Sequence, residues 1–227
     1  MLYFFWRLLL AHLLADFTFQ TDRIAKWKRE SISGVYFHVL IFLFFAVAVN
    51  YQYIPRKDFA VALLILGLAH VLEDQWRVVS IQKYHSHDNI FLFLYDQFIH
   101  VLMIFVVFPK QPPFAETEKW VYLAIVIVLA SHFTTIFIYF LKKLFYKNAA
   151  IVTREKYHGI MERLLVVACF LIPGRLFYAA LAIAVALIAF ERYSIRGAKD
   201  LDTSVFNVTA SNVMAVMFSV IARGIWY

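Results

Sequence analysis

The hydrophobic positions of this chain fall into eight apolar segments, separated by short polar or basic loops. A membrane-spanning helix needs about 20 apolar residues, and most of the segments approach that length. The sixth and seventh are short and meet at Pro173-Gly174, which predicts a tight helical hairpin, and the eighth is only moderately apolar. The eight segments are 2–21, 34–52, 59–78, 90–108, 120–141, 157–172, 176–191 and 205–222. The pattern predicts an all-α fold: a polytopic integral membrane helical bundle of about eight transmembrane segments.

Composition supports the membrane class. Hydrophobic residues make up 63% of the 227 residues, and the mean hydropathy is +0.72, whereas soluble domains are roughly 45–50% apolar. The net charge of +7 would suggest nucleic-acid binding in a soluble protein. Most of the basic residues here lie in the loops, so we expect membrane lipids as partners and no nucleic acid; a homo-oligomer is compatible with the sequence. The one cysteine, Cys169, lies in an apolar segment, which excludes a disulfide framework and a thiolate metal cluster.

The basic residues predict the orientation. Fourteen Lys and Arg residues lie in the loops on one side of the membrane and six in the loops on the other. Because positive residues stay preferentially on the inner side, the first set should face the cytoplasm. We therefore expect a multi-pass protein of the cell membrane with cytoplasmic basic loops. If all eight segments cross, both termini lie outside.

The first half of the chain contains an internal repeat. AHLLAD, which includes His12, aligns with AHVLED, which includes His70, and His38-Val39-Leu40 aligns with His100-Val101-Leu102. The repeated unit is two spans joined by a basic loop, so the copies should be parallel in the membrane. This predicts a duplicated core at 1–110, with repeats at about 1–55 and 59–108, followed by C-terminal membrane helices at 119–227.

Three pairs of histidine and aspartate lie inside these apolar segments. In each pair the partners are four residues apart, which puts both side chains on one face of a helix. The first two pairs lie in the first and third segments, which cross the membrane in the same direction. The third pair lies in the fourth segment, which crosses in the opposite direction, and its aspartate precedes its histidine. All three aspartates are therefore predicted one turn nearer the cytoplasm than their histidines. The pairs are His12/Asp16, His70/Asp74 and Asp96/His100.

These pairs predict a polar chamber in the cytoplasmic half of the bilayer. Imidazole and carboxylate ligands suit a divalent transition metal, namely zinc, manganese or iron, and Asp16, Asp74 and Asp96 are the candidate catalytic carboxylates. The alternatives are interhelical hydrogen-bonded pairs that hold the bundle together and a proton or ion path. Spacing alone does not separate a metal from a proton. The predicted ligands are His12, Asp16, His38, His70, Asp74, Asp96 and His100.

Five further residues are candidates for binding a cofactor or supporting the pairs. Gln20, Asp22 and Gln97 lie beside the pairs and could hydrogen-bond to the ligands. Glu162 and Arg163, in the second half, could form a local ion pair or meet an anionic headgroup.

The stretch HLLADFTFQTDRIAKWK, followed by a glycine and FHVL, resembles the bacterial membrane family catalogued as domain of unknown function 3307. That family's pattern runs HLLADF-x-x-Q-T-D, then a lysine, a histidine opening the second span, a His/Asp span and DQ-x-x-H. The match covers about residues 8–108. The matching residues are His12, Asp16, Gln20, Thr21, Asp22, Lys26, His38, His70, Asp74, Asp96, Gln97 and His100.

In the second half, GIMERLL resembles an ER-containing segment of longer family members, which implies a correspondence for Glu162 and Arg163. FERYSIR, with Glu191 and Arg192, departs from the lysine-containing helix of the family. The resemblance implies a bacterial inner-membrane protein in which the His/Asp positions matter. It implies no activity.

The residues favour a membrane-embedded, metal-dependent hydrolase or transferase acting on a lipid or lipid-linked substrate, with a carboxylate as general base. The outer halves of the first four spans are apolar apart from Arg7, which favours a cavity open on one side only. The alternatives are a transporter or channel for a cation, a proton or a small metabolite, and a non-catalytic membrane subunit.

Overall fold

The computed structural model describes residues 3–108, 118–146, 153–194 and 204–227, and within these ranges the chain is helical and contains no strand. The all-α prediction is therefore confirmed. The helices are α1 (Tyr3–Leu13, continued by a π-helical turn, Leu14–Thr18), α2 (Asp22–Glu30), α3 (Ile32–Val49), α4 (Lys57–Gln82), α5 (Ile90–Val107), α6 (Lys119–Phe145, with a π-helical turn at Leu129–Phe133), α7 (Thr153–Phe170), α8 (Leu176–Ser194) and α9 (Val205–Trp226). A short 3₁₀ turn, Tyr51–Tyr53, precedes α4.

Each of the eight predicted segments contains a helix, but only six of these helices are long and apolar enough to cross a membrane: α3, α4, α5, α6, α8 and α9. The moderately apolar eighth segment meets the requirement. Helix α1 does not, because its 11 α-helical residues and the 5 residues of its π-helical turn are together too short. Helix α7 carries several charged residues among its 18, including Glu162 and Arg163. Six such helices are consistent with a membrane protein.

The outward faces of these helices are apolar. Leu40 and Phe44 on α3 and Leu64 and Leu72 on α4 are all more than half exposed. Exposed large apolar side chains in such numbers are unusual on a soluble monomer. Lipid tails would cover these faces without a cost in free energy.

The chain divides into two compact units, residues 1–121 and 122–227. In the first unit α3 packs on α1, α2 and α4, while α5 packs on α4 and α1. A core of fully buried side chains, including Phe4, Leu8, Phe42 and Phe59, fills one end of this four-helix arrangement. The polar pairs lie beyond that core.

The second unit is built around α7, which packs on α8, on α9 and on the π-helical turn of α6. Helices α7 and α8 form the predicted hairpin. Gly174 between them has φ 63°, a left-handed conformation that glycine adopts without a steric penalty.

The stretch after the first span was expected to be a basic loop, and that expectation is wrong. Residues Asp22–Glu30 form helix α2, whose first turn is capped by Thr21 through a hydrogen bond from the Ile24 amide at 3.3 Å. Helix α2 lies tightly against the start of α3. A Cβ added at Gly34 would lie 2.5 Å from the Trp27 carbonyl oxygen and 2.6 Å from the Lys28 amide nitrogen, so only glycine fits there.

Candidate metal centre

Four buried side chains from three helices converge in the first unit. Asp16 comes from the π-helical turn of α1, His38 from α3, and His70 and Asp74 from successive turns of α4. Each is at most 5% exposed. The i, i+4 spacing on α4 puts the last two on one face, as the sequence predicts. The wide turn at Leu14–Thr18 contains Asp16, and π-helical turns are frequent at functional sites.

The converging atoms are evenly spaced. Asp16 Oδ1 lies 3.3 Å from His38 Nε2 and 3.6 Å from His70 Nε2. Asp74 Oδ2 lies 3.6 Å from each of these nitrogens, and the nitrogens lie 3.3 Å apart. A tetrahedral metal site with bonds of about 2.0–2.2 Å has edges of about 3.3–3.6 Å. These five distances therefore match five of the six edges of such a site.

Each of the two carboxylates uses one oxygen for a hydrogen bond and leaves the other without one. The Gln97 amide donates to Asp16 Oδ2 at 3.3 Å, and Lys28 donates to Asp74 Oδ1 at 2.9 Å. Asp16 Oδ1 and Asp74 Oδ2 have no hydrogen-bond partner among the described residues, although they are buried. Unsatisfied buried oxygens are costly, and both of these are among the four converging atoms.

The remaining predicted ligands lie beside this centre. The rings of His12 and His100 stack with centroids 4.9 Å apart, and the centroid of the His100 ring lies 4.4 Å from that of the His70 ring. His100 Nδ1 donates to the Asp96 backbone carbonyl at 2.8 Å, which leaves Nε2 buried and without a partner. In the neutral ring that Nε2 carries a lone pair.

A network of polar contacts ties these residues together. Gln97 accepts from His12 Nε2 at 3.2 Å and donates to Asp96 Oδ2 at 3.2 Å. Arg77 donates to the same Asp96 oxygen at 2.8 Å and also to Asp88 at 3.1 Å. Gln97 therefore links the His12/Asp16 pair to the Asp96/His100 pair, and Arg77 fixes the Asp96 carboxylate by a hydrogen bond.

The centre combines buried carboxylates with cations. Three buried carboxylates, Asp16, Asp74 and Asp96, lie beside two cations, Lys28 and Arg77. Burial alone would lower the pKa of Lys28, but Asp74 and Asp16 outweigh it, so that the pKa is raised and Lys28 stays charged.

A cavity reaches the centre from between α4 and α5. Its polar lining consists of His12, His70, His100 and Glu73, and the rest is apolar, including Phe42 and Met103. Glu73 and Gln75 flank Asp74, and Glu73 is the one that lines this cavity. The cavity therefore combines an apolar wall with a carboxylate and the unpartnered His100 Nε2.

The site lies within a region that matches a known family. A family model described as "Protein of unknown function (DUF3307)" matches residues 4–128, more than half of the chain. The chain belongs to this family. The predicted resemblance is thus confirmed, and the match extends beyond the 8–108 expected to the first part of α6. No curated protein and no solved structure matches the chain.

All seven predicted ligands lie within the family region and in the first unit, and all are buried. Of the supporting candidates, Gln97 belongs to the network described above. Gln20 is half-buried, with its Oε1 buried and without a partner, and Asp22 lies exposed in the first turn of α2. Glu162 and Arg163 lie outside the family region, in the second unit, where Arg192 donates to Glu162 at 2.6 Å and 2.5 Å.

Sequence reasoning missed two residues of the centre, Arg77 and Lys28, and it left Glu73 and Gln75 as alternatives of which at most one was expected to face the chamber. Arg77 follows Asp74 by three positions and so shares its helix face, a signal that was available. Glu73 was not separable from Gln75 by spacing. Lys28 had no signal of its own; the lysine that matched the family pattern, Lys26, is exposed and lies 3.7 Å from Glu30.

Proposed function

We propose that the first unit holds a divalent metal ion between His38, His70, Asp16 and Asp74, and that the protein is a metal-dependent membrane hydrolase or transferase. The observation that carries the proposal is that Asp16 Oδ1 and Asp74 Oδ2 each lie 3.3–3.6 Å from both His38 Nε2 and His70 Nε2, and that these nitrogens are 3.3 Å apart. Two imidazole nitrogens and two carboxylate oxygens are a donor set that favours zinc among zinc, manganese and iron.

The chemistry of the donor set fits a cation. Two buried oxygens, Asp16 Oδ1 and Asp74 Oδ2, accept no hydrogen bond among the described residues, although imidazole nitrogens lie 3.3–3.6 Å from each of them. Independent interhelical hydrogen bonds would instead satisfy these oxygens. Catalytic metal sites keep a position for water or substrate. A divalent cation there would therefore act as a Lewis acid on a substrate carbonyl or phosphoryl oxygen only by accepting a fifth ligand or by releasing one of the four residues.

The substrate is proposed to be a lipid or a lipid-linked molecule. The small cavity beside the centre is lined by apolar side chains together with His12, His70, His100 and Glu73, and this mixed lining supports a lipid-derived substrate. Glu73 is the proposed general base, and His100 Nε2 is positioned to accept or return a proton.

Packing at the opposite end favours an enzyme over a channel. Arg7, the polar residue in that half, is buried and donates to both oxygens of Glu118 at 2.6 Å and to the Val49 carbonyl. Phe4 and Leu8 beside it are fully buried. This packing supports a one-sided site. We propose further that the protein lies in the bacterial inner membrane with its basic loops in the cytoplasm, in contact with membrane lipids.

The test of the enzyme proposal is lipid turnover in vesicles. Purified protein is loaded with zinc and reconstituted into vesicles made from the lipids of its source cells, and lipid species are followed by mass spectrometry. We expect one lipid class to be consumed, chelator to stop the reaction, and Glu73→Gln to slow it at least roughly 100-fold, the range of general acid–base catalysis. Asp58→Asn, an exposed carboxylate on the same helix, is the matched control.

Unchanged lipids with the zinc-loaded wild type would contradict the enzyme proposal. Zinc uptake into the same vesicles would then favour the transporter alternative.

A further inference from the structure

His12 is a fully buried side chain of the first unit that the four-residue site does not use. It lines the small cavity beside that site, together with His70, His100 and Glu73. Ligand atoms of His12, Asp16 and His70 lie within 4.8 Å of one another. His12 is therefore close enough to the proposed ion to share a ligand with it.

The hydrogen bonds of Gln97 decide which nitrogen of His12 carries the proton. The amide nitrogen of Gln97 donates to Asp16 Oδ2 at 3.3 Å and to Asp96 Oδ2 at 3.2 Å. The amide oxygen therefore faces His12 Nε2, at 3.2 Å, and an amide oxygen only accepts. His12 Nε2 must then carry the hydrogen, so that Nδ1 of the neutral ring has a lone pair.

Two acceptor atoms consequently face each other beside the cavity. His12 Nδ1 lies 3.4 Å from Asp16 Oδ1, and neither atom makes a hydrogen bond among the described residues. The two side chains are 1% and 5% exposed, so bulk water does not reach the pair. Lone pairs in contact repel, and buried acceptors without a partner are costly. A cation between the two atoms would turn this repulsion into coordination.

We propose that His12 Nδ1 and Asp16 Oδ1 hold a second divalent metal ion, with Asp16 Oδ1 shared between the two ions. This second site rests on the proposed function, because Asp16 is a ligand of the first ion as well. The 3.4 Å between the nitrogen and the oxygen fits two bonds of about 2.0–2.2 Å to one ion. Paired ions in two-metal enzymes lie about 3.5–4 Å apart, a separation that one shared oxygen allows.

The second ion has the open positions that the first one lacks. Four residues surround the first ion, whereas the protein supplies two donor atoms to the second. Because His12 lines the cavity, a water molecule or a substrate oxygen there completes the second coordination sphere. Catalysis then requires no residue to leave the first ion, which serves to position Asp16 and to add positive charge.

The test counts the zinc ions bound by the detergent-purified full chain, by titration against a chromophoric chelator. We expect two equivalents in the wild type, the second bound more weakly because the first ion repels it. His12→Gln is the diagnostic variant, because a glutamine amide can keep the contact of Nε2 with Gln97 but has no donor at the position of Nδ1. It should lose the second equivalent and bind the first with a Kd within about tenfold of the wild type, since the orienting network remains.

Electron paramagnetic resonance with two equivalents of Mn²⁺ gives a second readout. Two manganese ions bridged by one oxygen are magnetically coupled, so the wild type should give a coupled spectrum and His12→Gln an uncoupled one. His87→Ala, in an exposed loop, is the control for zinc bound by surface histidines. It should keep both equivalents and the coupled spectrum.

The outcomes separate the two claims. No bound zinc would contradict the proposed function and the second site together. One equivalent in the wild type would overturn the second site alone and leave a proton between His12 Nδ1 and Asp16 Oδ1. The second site is also overturned if His12→Gln keeps both equivalents, if His87→Ala loses one, or if two Mn²⁺ ions in the wild type show no magnetic coupling.

Discussion

At the scale of single residues, each central carboxylate divides its two oxygens between the protein and the proposed metal. Gln97 holds one oxygen of Asp16, and Lys28 holds one oxygen of Asp74, while the other oxygen of each lies at the centre. Metal ligands are commonly oriented in this way by a hydrogen bond to the atom that does not bind the ion. The proposed metal site requires this arrangement, whereas in an ordinary interhelical hydrogen-bonded pair the two partners satisfy each other.

Removal of one ligand should cost most of the zinc affinity. His38→Ala or Asp74→Asn should weaken binding at least roughly 10–100-fold, which even the loss of an orienting partner can reach. The double variant should add little, because the site is already lost. Competition with a chromophoric chelator measures the affinities, and His87→Ala, in an exposed loop, is the control. Small stability losses of about 0.6 kcal/mol each that simply add would favour structural hydrogen bonds instead.

Lys28 should matter more to stability than its neighbours on α2. The Lys28 side chain is 12% exposed and that of Asp74 is 1% exposed, so Lys28→Ala leaves a buried carboxylate unpaired. We expect a loss of about 3 kcal/mol, at the low end for a broken buried pair because Lys28 is partly solvated. Lys26→Ala, on the exposed face, should cost less than about 1 kcal/mol. Chemical denaturation in the presence of chelator measures both, and equal losses would contradict the assigned role.

The four converging residues could be predicted because they are polar residues that recur at helical spacing inside apolar segments. Of their partners, Gln97 was a candidate from the sequence because it lies beside Asp96, although which residues it bridges depends on how α1 and α5 face one another. Lys28 could not be predicted, because it lies on α2 and Asp74 on α4, and nothing in the sequence around Lys28 indicates that contact.

At the scale of the helices, the features that shape the site are invisible to hydrophobic periodicity. Helix α2 is short and polar, and its sequence is typical of a basic loop. The π-helical turn that contains Asp16 differs from an α-helical turn by one hydrogen bond, Phe19 N to Leu14 O at 2.9 Å. The sequence therefore predicted the long apolar helices well and the local departures from them poorly.

Gly34 is the glycine on which this local structure depends. A methyl group at Gly34 would clash with the backbone of Trp27 and Lys28, and backbone cannot move aside as a flexible side chain can. Gly34→Ala should therefore push α2 away from α3, separate Lys28 from Asp74 and lower stability by about 1–3 kcal/mol.

The control for Gly34→Ala is Gly224→Ala, where nothing lies within 4 Å of an added Cβ. That substitution should be neutral or stabilise α9 by roughly 0.5–1 kcal/mol. The measurement is the thermal unfolding midpoint of both variants. An unchanged midpoint in Gly34→Ala would contradict the close packing of α2 on α3.

At the scale of the whole molecule, the helical class and the position of each helix followed from the apolar segments. The number of spans did not, because α1 and α7 are apolar enough to be noticed but too short or too charged to meet the requirements of a span. The internal duplication stays a prediction. Both His12/Asp16 and His70/Asp74 lie in the first unit, where each contributes its aspartate to the same centre.

The orientation is tested by labelling single cysteines in intact cells. Glu30→Cys lies at the end of α2, and Gln52→Cys lies in the connection at the other end of α3; both positions are exposed. An impermeant thiol reagent should label Gln52→Cys directly and Glu30→Cys only after permeabilisation. The wild type is the control, because its one cysteine, Cys169, is buried. The reverse labelling pattern would contradict the predicted cytoplasmic side.

The most direct test of the metal centre is X-ray absorption spectroscopy of purified protein loaded with one equivalent of zinc. The four converging residues predict a first coordination sphere of two imidazole nitrogens and two carboxylate oxygens, at about 2.0–2.2 Å. His38→Ala should retain less zinc after desalting, and the zinc that it retains should show about half the imidazole scattering, whereas His87→Ala should match the wild type. A wild-type protein that retains no zinc after desalting, or whose zinc spectrum is identical in His38→Ala, would contradict the central claim.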